Sequence, residues 1–262
     1  MQSNSIFPHC NPYCSSVSAP RALRANKVTR KKRNFGMSKA KLMTGPGKTL
    51  QETRKTEKFL ARKSQGKLRL ATANVGSMVG RSAEVTETVG RRGVDIVALQ
   101  EVRFRNEGFK RLRGGDFEYR LYWKGEETGY GGVGLMVRQE LAECVMEVRR
   151  VSSRVLSLDL VLHGKVMTII SVYAPQCGRS EEEKEEFYYD LNAEVQRRNS
   201  IENCIILGDF NGHVGRSANG YEGVHGGQGW GDRNKEGEKI LEFADSFGMV
   251  IGNTFLRKML KS

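Results

Sequence analysis

No stretch of this 262-residue chain approaches the roughly 18 apolar residues of a membrane-spanning helix. Its start has neither the basic opening nor the apolar block of a secretory signal. The expectation is a protein with no membrane partner. Cysteine is scarce and scattered, five residues in all. Cys10 and Cys14 have no second Cys/His pair at zinc spacing, and Cys144, Cys177 and Cys204 read as reduced thiols of an intracellular protein. No glycine loop has the form of a phosphate cradle, because GYGGVG at 129–134 has no helix pattern after it. There is no nucleophile elbow for acyl transfer and no internal repeat. Residues 1–20 lack Lys, Arg, Asp and Glu altogether.

Charge is crowded into the next segment. Residues 21–67 hold 16 of the 43 Lys and Arg against only Glu52 and Glu57, a net of +14. Residues 68–262 keep 27 basic and 28 acidic side chains, so the overall +13 belongs to the N-terminal part. Dense like charge with few large apolar residues predicts that 1–67 is a disordered basic arm and that the folded domain is 68–262. Within the arm, Arg30, Lys31, Lys32 and Arg33 form a nuclear address or a nucleic-acid-binding patch. A solvated tail with no specific reader is the plainer alternative. Either way such a polycation binds nucleic acid without sequence preference and lets go as salt rises.

From Leu68 the pattern becomes that of a folded domain. LRLATANV (68–75) reads as a strand, and a short helix follows at about 82–92. VDIVALQE (94–101) is a nearly continuous apolar run, the mark of a strand buried on both faces. FEYRLYW (117–123) alternates, GYGGVGLMV (129–137) becomes a strand, and VLSLDLVL (155–162) with VMTIISVYAP makes a hairpin around His163-Gly164-Lys165. A helix over 181–199 begins with acids and ends with arginines, matching its dipole. CIILGD (204–209) is a strand, 212–233 a glycine-rich loop, 235–247 a helix, and MVIGNTFL (249–256) a last strand. Strand meanders with helices inserted predict an α+β fold of two packed sheets flanked by helices.

The informative residues stand where apolar strands end: Asn74, then Gln100 and Glu101, then Tyr173, then Asp209 and Asn211. A carboxylate at a strand tip suits Mg²⁺, which often takes one or two carboxylates plus waters and substrate phosphate. A second carboxylate can orient or deprotonate water, and asparagine and tyrosine can donate to phosphoryl oxygens as charge develops. Each residue also has an ordinary structural reading. Glu101 could leave its strand into solvent, Tyr173 could be a core tyrosine, and Asp209-Phe210-Asn211-Gly212 has the composition of a β-turn.

Taken together and in order, LRLATANV, VDIVALQEV, GGVGLMV, SVYAP and ILGDFN resemble the endonuclease/exonuclease/phosphatase superfamily of metal-dependent phosphoesterases. The stretch GWGDRNKEGEKILEFADSFGMVIGNT looks, more narrowly, like the endonucleases of non-LTR retrotransposons. The resemblance implies a four-layer, DNase I-like sandwich of two β-sheets covered by helices, DNA as partner, Mg²⁺ (or Mn²⁺) as cofactor, and work in the nucleus. It implies Glu101 as the principal metal ligand with Asn74 beside it. Tyr173 and Asn211 would contact the scissile phosphate, and Asp209 would position and activate the attacking water. His213 and His225 match no catalytic position of the family.

Two departures stand out. Ala73 occupies a place where the family often has tryptophan, and the Asn-Gln-Ile-Asp-like and closing Ser-Asp-His motifs of the family do not occur. The resemblance therefore implies a domain incomplete at its C-terminus and weak or inactive as an endonuclease, since one lost electrostatic donor costs on the order of 10²–10³ in rate. The alternative is a noncatalytic nucleic-acid- or chromatin-associated protein that binds through its basic arm. Phosphatase action on small phosphoesters has no support in the loops.

Overall fold

A computed structural model describes residues 4–8, 68–162, 164–197 and 203–255. Eleven strands form two sheets among the described residues. The five-stranded sheet uses β2 (Leu70–Asn74), β3 (Ile96–Gln100), β4 (Glu107–Gly114), β5 (Phe117–Lys124) and β6 (Val133–Arg138), in the order β2-β3-β6-β5-β4. The six-stranded sheet uses β1 (Asn4–Pro8), β7 (Val145–Ser152), β8 (Val155–Leu162), β9 (Lys165–Tyr173), β10 (Cys204–Asp209) and β11 (Met249–Ile251). Its order is β11-β1-β10-β9-β8-β7. Three helices accompany them: α1 (Ser82–Arg91), α2 (Glu181–Gln196) and α3 (Lys235–Ser246).

Three apolar layers hold four structural layers together. Between the sheets lie Ile96, Ala98, Leu135 and Val137 from one and Leu156, Leu158, Leu160, Ile169 and Leu207 from the other. The outer face of the five-stranded sheet, with Val97, Leu99, Tyr119 and Leu121, packs under α1. The outer face of the six-stranded sheet meets Phe187, Leu191 and Val195 of α2 and Ile240, Leu241 and Ala244 of α3. β3 feeds both of its faces, which is why its sequence is apolar without alternation. The four-layer α+β sandwich expected from the sequence is the fold observed. Helix starts follow local chemistry: the Ser180 hydroxyl accepts from the Glu183 N–H at 3.3 Å, and the Asn234 side chain accepts from the Gly237 N–H at 2.8 Å.

The sequence reading differs from the structure in four places. The strand at Asn4–Pro8 falls inside the expected arm. It pairs antiparallel with both β10 and β11, supplying main-chain partners to two strands that would otherwise face an open slot. The rest of that arm, including Arg30, Lys31, Lys32 and Arg33, lies outside the described residues. The last expected strand stops at Ile251 and turns into a single 3₁₀ turn at Gly252–Thr254. β4 and β7 gave no strand signal because they are sheet edges. β4 buries only Leu112 and Gly114, and β7 is fixed by charge: Arg149 reaches Asp159 and Glu194 at 2.9 Å each. No described helix is long and apolar enough to cross a membrane.

Candidate functional site

Each sheet contains one adjacent parallel pair, and both pairs end at the same edge. In the β2/β3 pair Asn74 sits beside Gln100; in the β9/β10 pair Tyr173 sits beside Asp209. Leu70, Ala98, Ile169 and Leu207 face the space between the sheets. Stepping along each strand by two residues puts Asn74, Gln100, Tyr173 and Asp209 on those same inner faces. The Ser171 hydroxyl, one step below Tyr173, donates to the Leu99 carbonyl at 3.5 Å and bridges the sheets.

Glu101 is where the two sheets meet chemically. Asn74 Nδ2 donates to its Oε1 at 2.9 Å, and the Tyr173 hydroxyl donates to the same oxygen at 3.1 Å. Arg103 Nη2 donates to Oε2 at 3.2 Å. Burial pushes the Glu101 carboxyl up, but the hydrogen bonds from Asn74, Arg103 and Tyr173 and the Arg103 charge outweigh it and hold the group below its ordinary range. Glu101 is thus a carboxylate at neutral pH, with 18% of its side chain exposed. Burial and the negative charges of Glu101 and Asp209 push Tyr173 up to about 12, so its hydroxyl stays a donor.

Asn74 is oriented from behind. Its Oδ1 accepts from the Gly76 N–H at 3.1 Å, which turns the amide nitrogen toward Glu101. As seated, Asn74 holds the carboxylate in place through its amide N–H, with its oxygen turned to the Gly76 N–H. On the other sheet Asp209 is buried, and its Oδ1 accepts from the Asn211 N–H at 3.1 Å. Asn211 Nδ2 donates to the Ala174 carbonyl at 2.7 Å, while the Ala174 N–H donates to the Asp209 carbonyl at 2.8 Å. The Asp-Phe-Asn-Gly segment is therefore a turn of Asx type that also fixes two polar side chains at the sheet edge.

Glu101 and Tyr173 open into a cleft of about 170 Å³ whose rim carries Arg103, Tyr130, Arg154 and Arg179. The Arg154 guanidinium lies 5.9 Å from the Tyr173 ring centre and donates to the Tyr173 carbonyl at 3.4 Å. Three arginines against two carboxylates, Glu101 and Glu126, leave the lining with an excess of positive charge that suits an anionic substrate. Sequence reasoning missed these four rim residues. They stand in loops with no motif, and the only signal was the GYGG glycine cluster that carries Tyr130. Of the expected site residues, Asn74, Glu101, Tyr173, Asp209 and Asn211 all come together at this edge. His225 is buried in the glycine-rich loop: Nδ1 accepts from the Gly227 N–H at 3.0 Å, and Nε2 faces the Gly215 carbonyl at 3.1 Å. His213 is exposed in the same loop, held through its own N–H by Asn234.

The donor set suits a hard divalent cation. An ionised, part-exposed carboxylate at the mouth of an arginine-rimmed cleft is the kind of ligand such a cation takes from a protein when phosphate and water complete its shell. Among the described residues no three His, Cys, Asp or Glu side chains form a metal-holding group of the closed kind.

Residues 71–233 match the profile of a family described as Endonuclease/Exonuclease/phosphatase family. Craniofacial development protein 2 of Bos taurus is 28% identical over 191 residues, covering 72% of this chain and 31% of that protein. Exodeoxyribonuclease III of Haemophilus influenzae is 25% identical over 158 residues, covering 55% of this chain and 57% of that protein. This chain spans about a third of the length of the craniofacial relatives it matches. Among solved structures, the endonuclease domain of TRAS1, a telomere-specific non-LTR retrotransposon, aligns with a TM-score of 0.47 at 16% identity, covering 70% of this chain and 71% of that one. An AP endonuclease from Archaeoglobus fulgidus aligns with a TM-score of 0.48 at 16% identity, covering 69% and 70%.

Proposed function

The chain belongs to the endonuclease/exonuclease/phosphatase family, and from that premise we propose that it hydrolyses phosphodiester bonds within DNA with the help of Mg²⁺. The observation that carries this reading is the convergence of Asn74 and Tyr173, one from each sheet, on a single oxygen of Glu101. That arrangement fixes an ionised carboxylate at the mouth of an arginine-rimmed cleft. Glu101 would hold the metal ion, and Asn74 would hold Glu101. Bound there, the ion would supply positive charge against the phosphate oxygens.

The protein's own groups divide the remaining work. Arg154 and Arg179 offer the phosphodiester charge-assisted hydrogen bonds. Asn211, fixed through one amide hydrogen by the Ala174 carbonyl, would donate the other to the scissile phosphate with little reorganisation, and Tyr173 would do so by turning its one hydroxyl hydrogen away from Glu101. Asp209, with Oδ1 taken by the Asn211 N–H, would orient the attacking water with its other oxygen and accept its proton. The direct test is nicking of supercoiled plasmid with and without Mg²⁺, comparing the 262-residue chain with Glu101→Ala. Weak, Mg²⁺-dependent nicking that disappears in the variant is the expected result. Nicking that survives in Glu101→Ala would remove this site from the reaction. Deleting residues 21–67 separates arm-driven binding from cleavage, because cleavage should persist without the arm.

A further inference from the structure

Both carboxylate oxygens of Glu101 are already taken by donors. Oε1 accepts from Asn74 and Tyr173, two groups fixed from behind by Gly76 and by the sheet. Oε2 accepts from Arg103 alone. Any cation that binds Glu101 must therefore contend with a partner. Arg103 is the one that can yield: 44% of its side chain is exposed, and it stands on a loop outside both sheets. It also has a second neighbour in that same conformation. Its guanidinium carbon lies 6.0 Å from the centre of the Tyr130 ring, which is itself largely exposed on the cleft rim. The backbone supports this arrangement. Glu101 and Arg103 both adopt left-handed φ angles, +57° and +54°, and the Arg103 N–H donates to the Gly131 carbonyl at 2.9 Å, which ties the segment beside Tyr130.

We propose that Arg103 is an exchangeable counter-ion of Glu101, displaced by the divalent cation and passed to the cleft, where it then contacts the substrate phosphodiester from its seat on Tyr130. The inference rests on the proposed nuclease reading of the Glu101 site. It assigns Arg103 two opposed effects. Paired with Glu101, the guanidinium competes with the metal for the carboxylate. Released, it adds a fourth cation to the rim beside Arg154, Arg179 and the ion itself. A device of this kind keeps the Glu101 charge paired until metal and nucleic acid arrive together. The pair with Glu101 and the approach to Tyr130 occur in one conformation, so release from Glu101 leaves the guanidinium already beside the ring.

The test measures metal binding directly, by calorimetric titration of Mg²⁺ and by the free-ion spin-resonance signal of Mn²⁺, on the full chain and on Arg103→Met, Arg103→Gln and Glu101→Gln. Arg103→Gln keeps a hydrogen-bond donor for Oε2 while dropping the charge, so it reports on competition even if Arg103→Met fails to fold. The expected result is metal affinity raised about two- to fivefold in both Arg103 variants, the range for losing a part-exposed ion pair, and lost in Glu101→Gln. Plasmid KM should move the other way, upward, in the Arg103 variants. A purely structural role for Arg103 would weaken metal binding or leave it unchanged, and that outcome with Glu101→Gln silent overturns the proposal while leaving the site reading intact. Metal binding that persists in Glu101→Gln would instead overturn the site reading itself.

Discussion

Asn211 offers a way to separate what a residue does for the fold from what it does for the reaction. Its φ of +47° lies in the left-handed region, and its side chain donates to the Ala174 carbonyl at 2.7 Å. Replacing it by alanine removes a net contribution of about 1 kcal/mol from that hydrogen bond. It also places a Cβ-bearing residue without a compensating polar side chain in the left-handed well, at roughly another 1 kcal/mol. Asn211→Ala should therefore lose about 2 kcal/mol. Asn211→Gly loses the same bond but relaxes the backbone, so the two changes offset and stability should stay within about 0.5 kcal/mol of the parent. Activity should not follow this order. Both variants lack the side-chain amide assigned to the scissile phosphate, and both should lose on the order of 10²–10³ in nicking rate. Equilibrium unfolding in urea and plasmid nicking on the same preparations decide it. If Gly is no more stable than Ala, the left-handed backbone does not carry the cost assigned to it. If Asn211→Gly nicks within about threefold of the parent, Asn211 does not touch the transition state.

Tyr173→Phe deletes one of two donors to Glu101 Oε1; the Glu101 carboxyl should rise, and the acid limb of the pH–rate profile should move to higher pH. An unmoved acid limb would mean that Glu101 does not govern that limb. Burial lowers the pKa of His225, so the folded state favours its neutral form. The stability this contributes is complete above the unfolded value of about 6.5 and drains away as pH falls below it toward the folded value. Urea midpoints at pH 7.5 and 5.5 for the parent and His225→Gln should show a smaller acid loss in the variant. In β10, a Cβ on Gly208 would sit 2.1 Å from the Val172 carbonyl oxygen. Gly208→Ala should cost about 3 kcal/mol by forcing β9 and β10 apart, with nicking falling alongside, because Tyr173 and Asp209 ride on those strands. An unchanged melting temperature would refute that close approach.

Most of the sandwich could be read from the sequence because its central strands and helices advertise their burial. Leu156, Leu158 and Leu160 alternate onto the inter-sheet core, and Phe187, Leu191 and Val195 stand on one face of α2, as their spacing predicts. The edges could not be read so. β7 holds its place through Arg149 between Asp159 and Glu194, an ion cluster that looks like surface charge until the helix above it is known. β1 was hidden by distance along the chain. Nothing near Asn4 announces that its partners are Cys204–Asp209 and Met249–Ile251. Boundaries slipped by a few residues, as at the end of β11, where the strand stops at Ile251 and Gly252 opens a 3₁₀ turn.

The site was legible in its carboxylates and amides, and not in its cations. Glu101 and Asp209 are visible because a polar residue ending an apolar run contradicts the run. Arg103, Arg154 and Arg179 contradict nothing, since arginine in a loop is the ordinary case. What no spacing could disclose is that Glu101 and Asn211 share a rare backbone conformation. Each is the first or second residue beyond a strand of a parallel pair, one pair in each sheet. Non-glycine residues adopt left-handed φ angles only where their surroundings over-determine them. Here the two surroundings are different: three side-chain donors around Glu101, and a main-chain and side-chain double tie between Asn211, Asp209 and Ala174. Two unrelated sets of contacts hold two strained residues at one edge of the sandwich. A fold that needed only stability would place glycine at both positions.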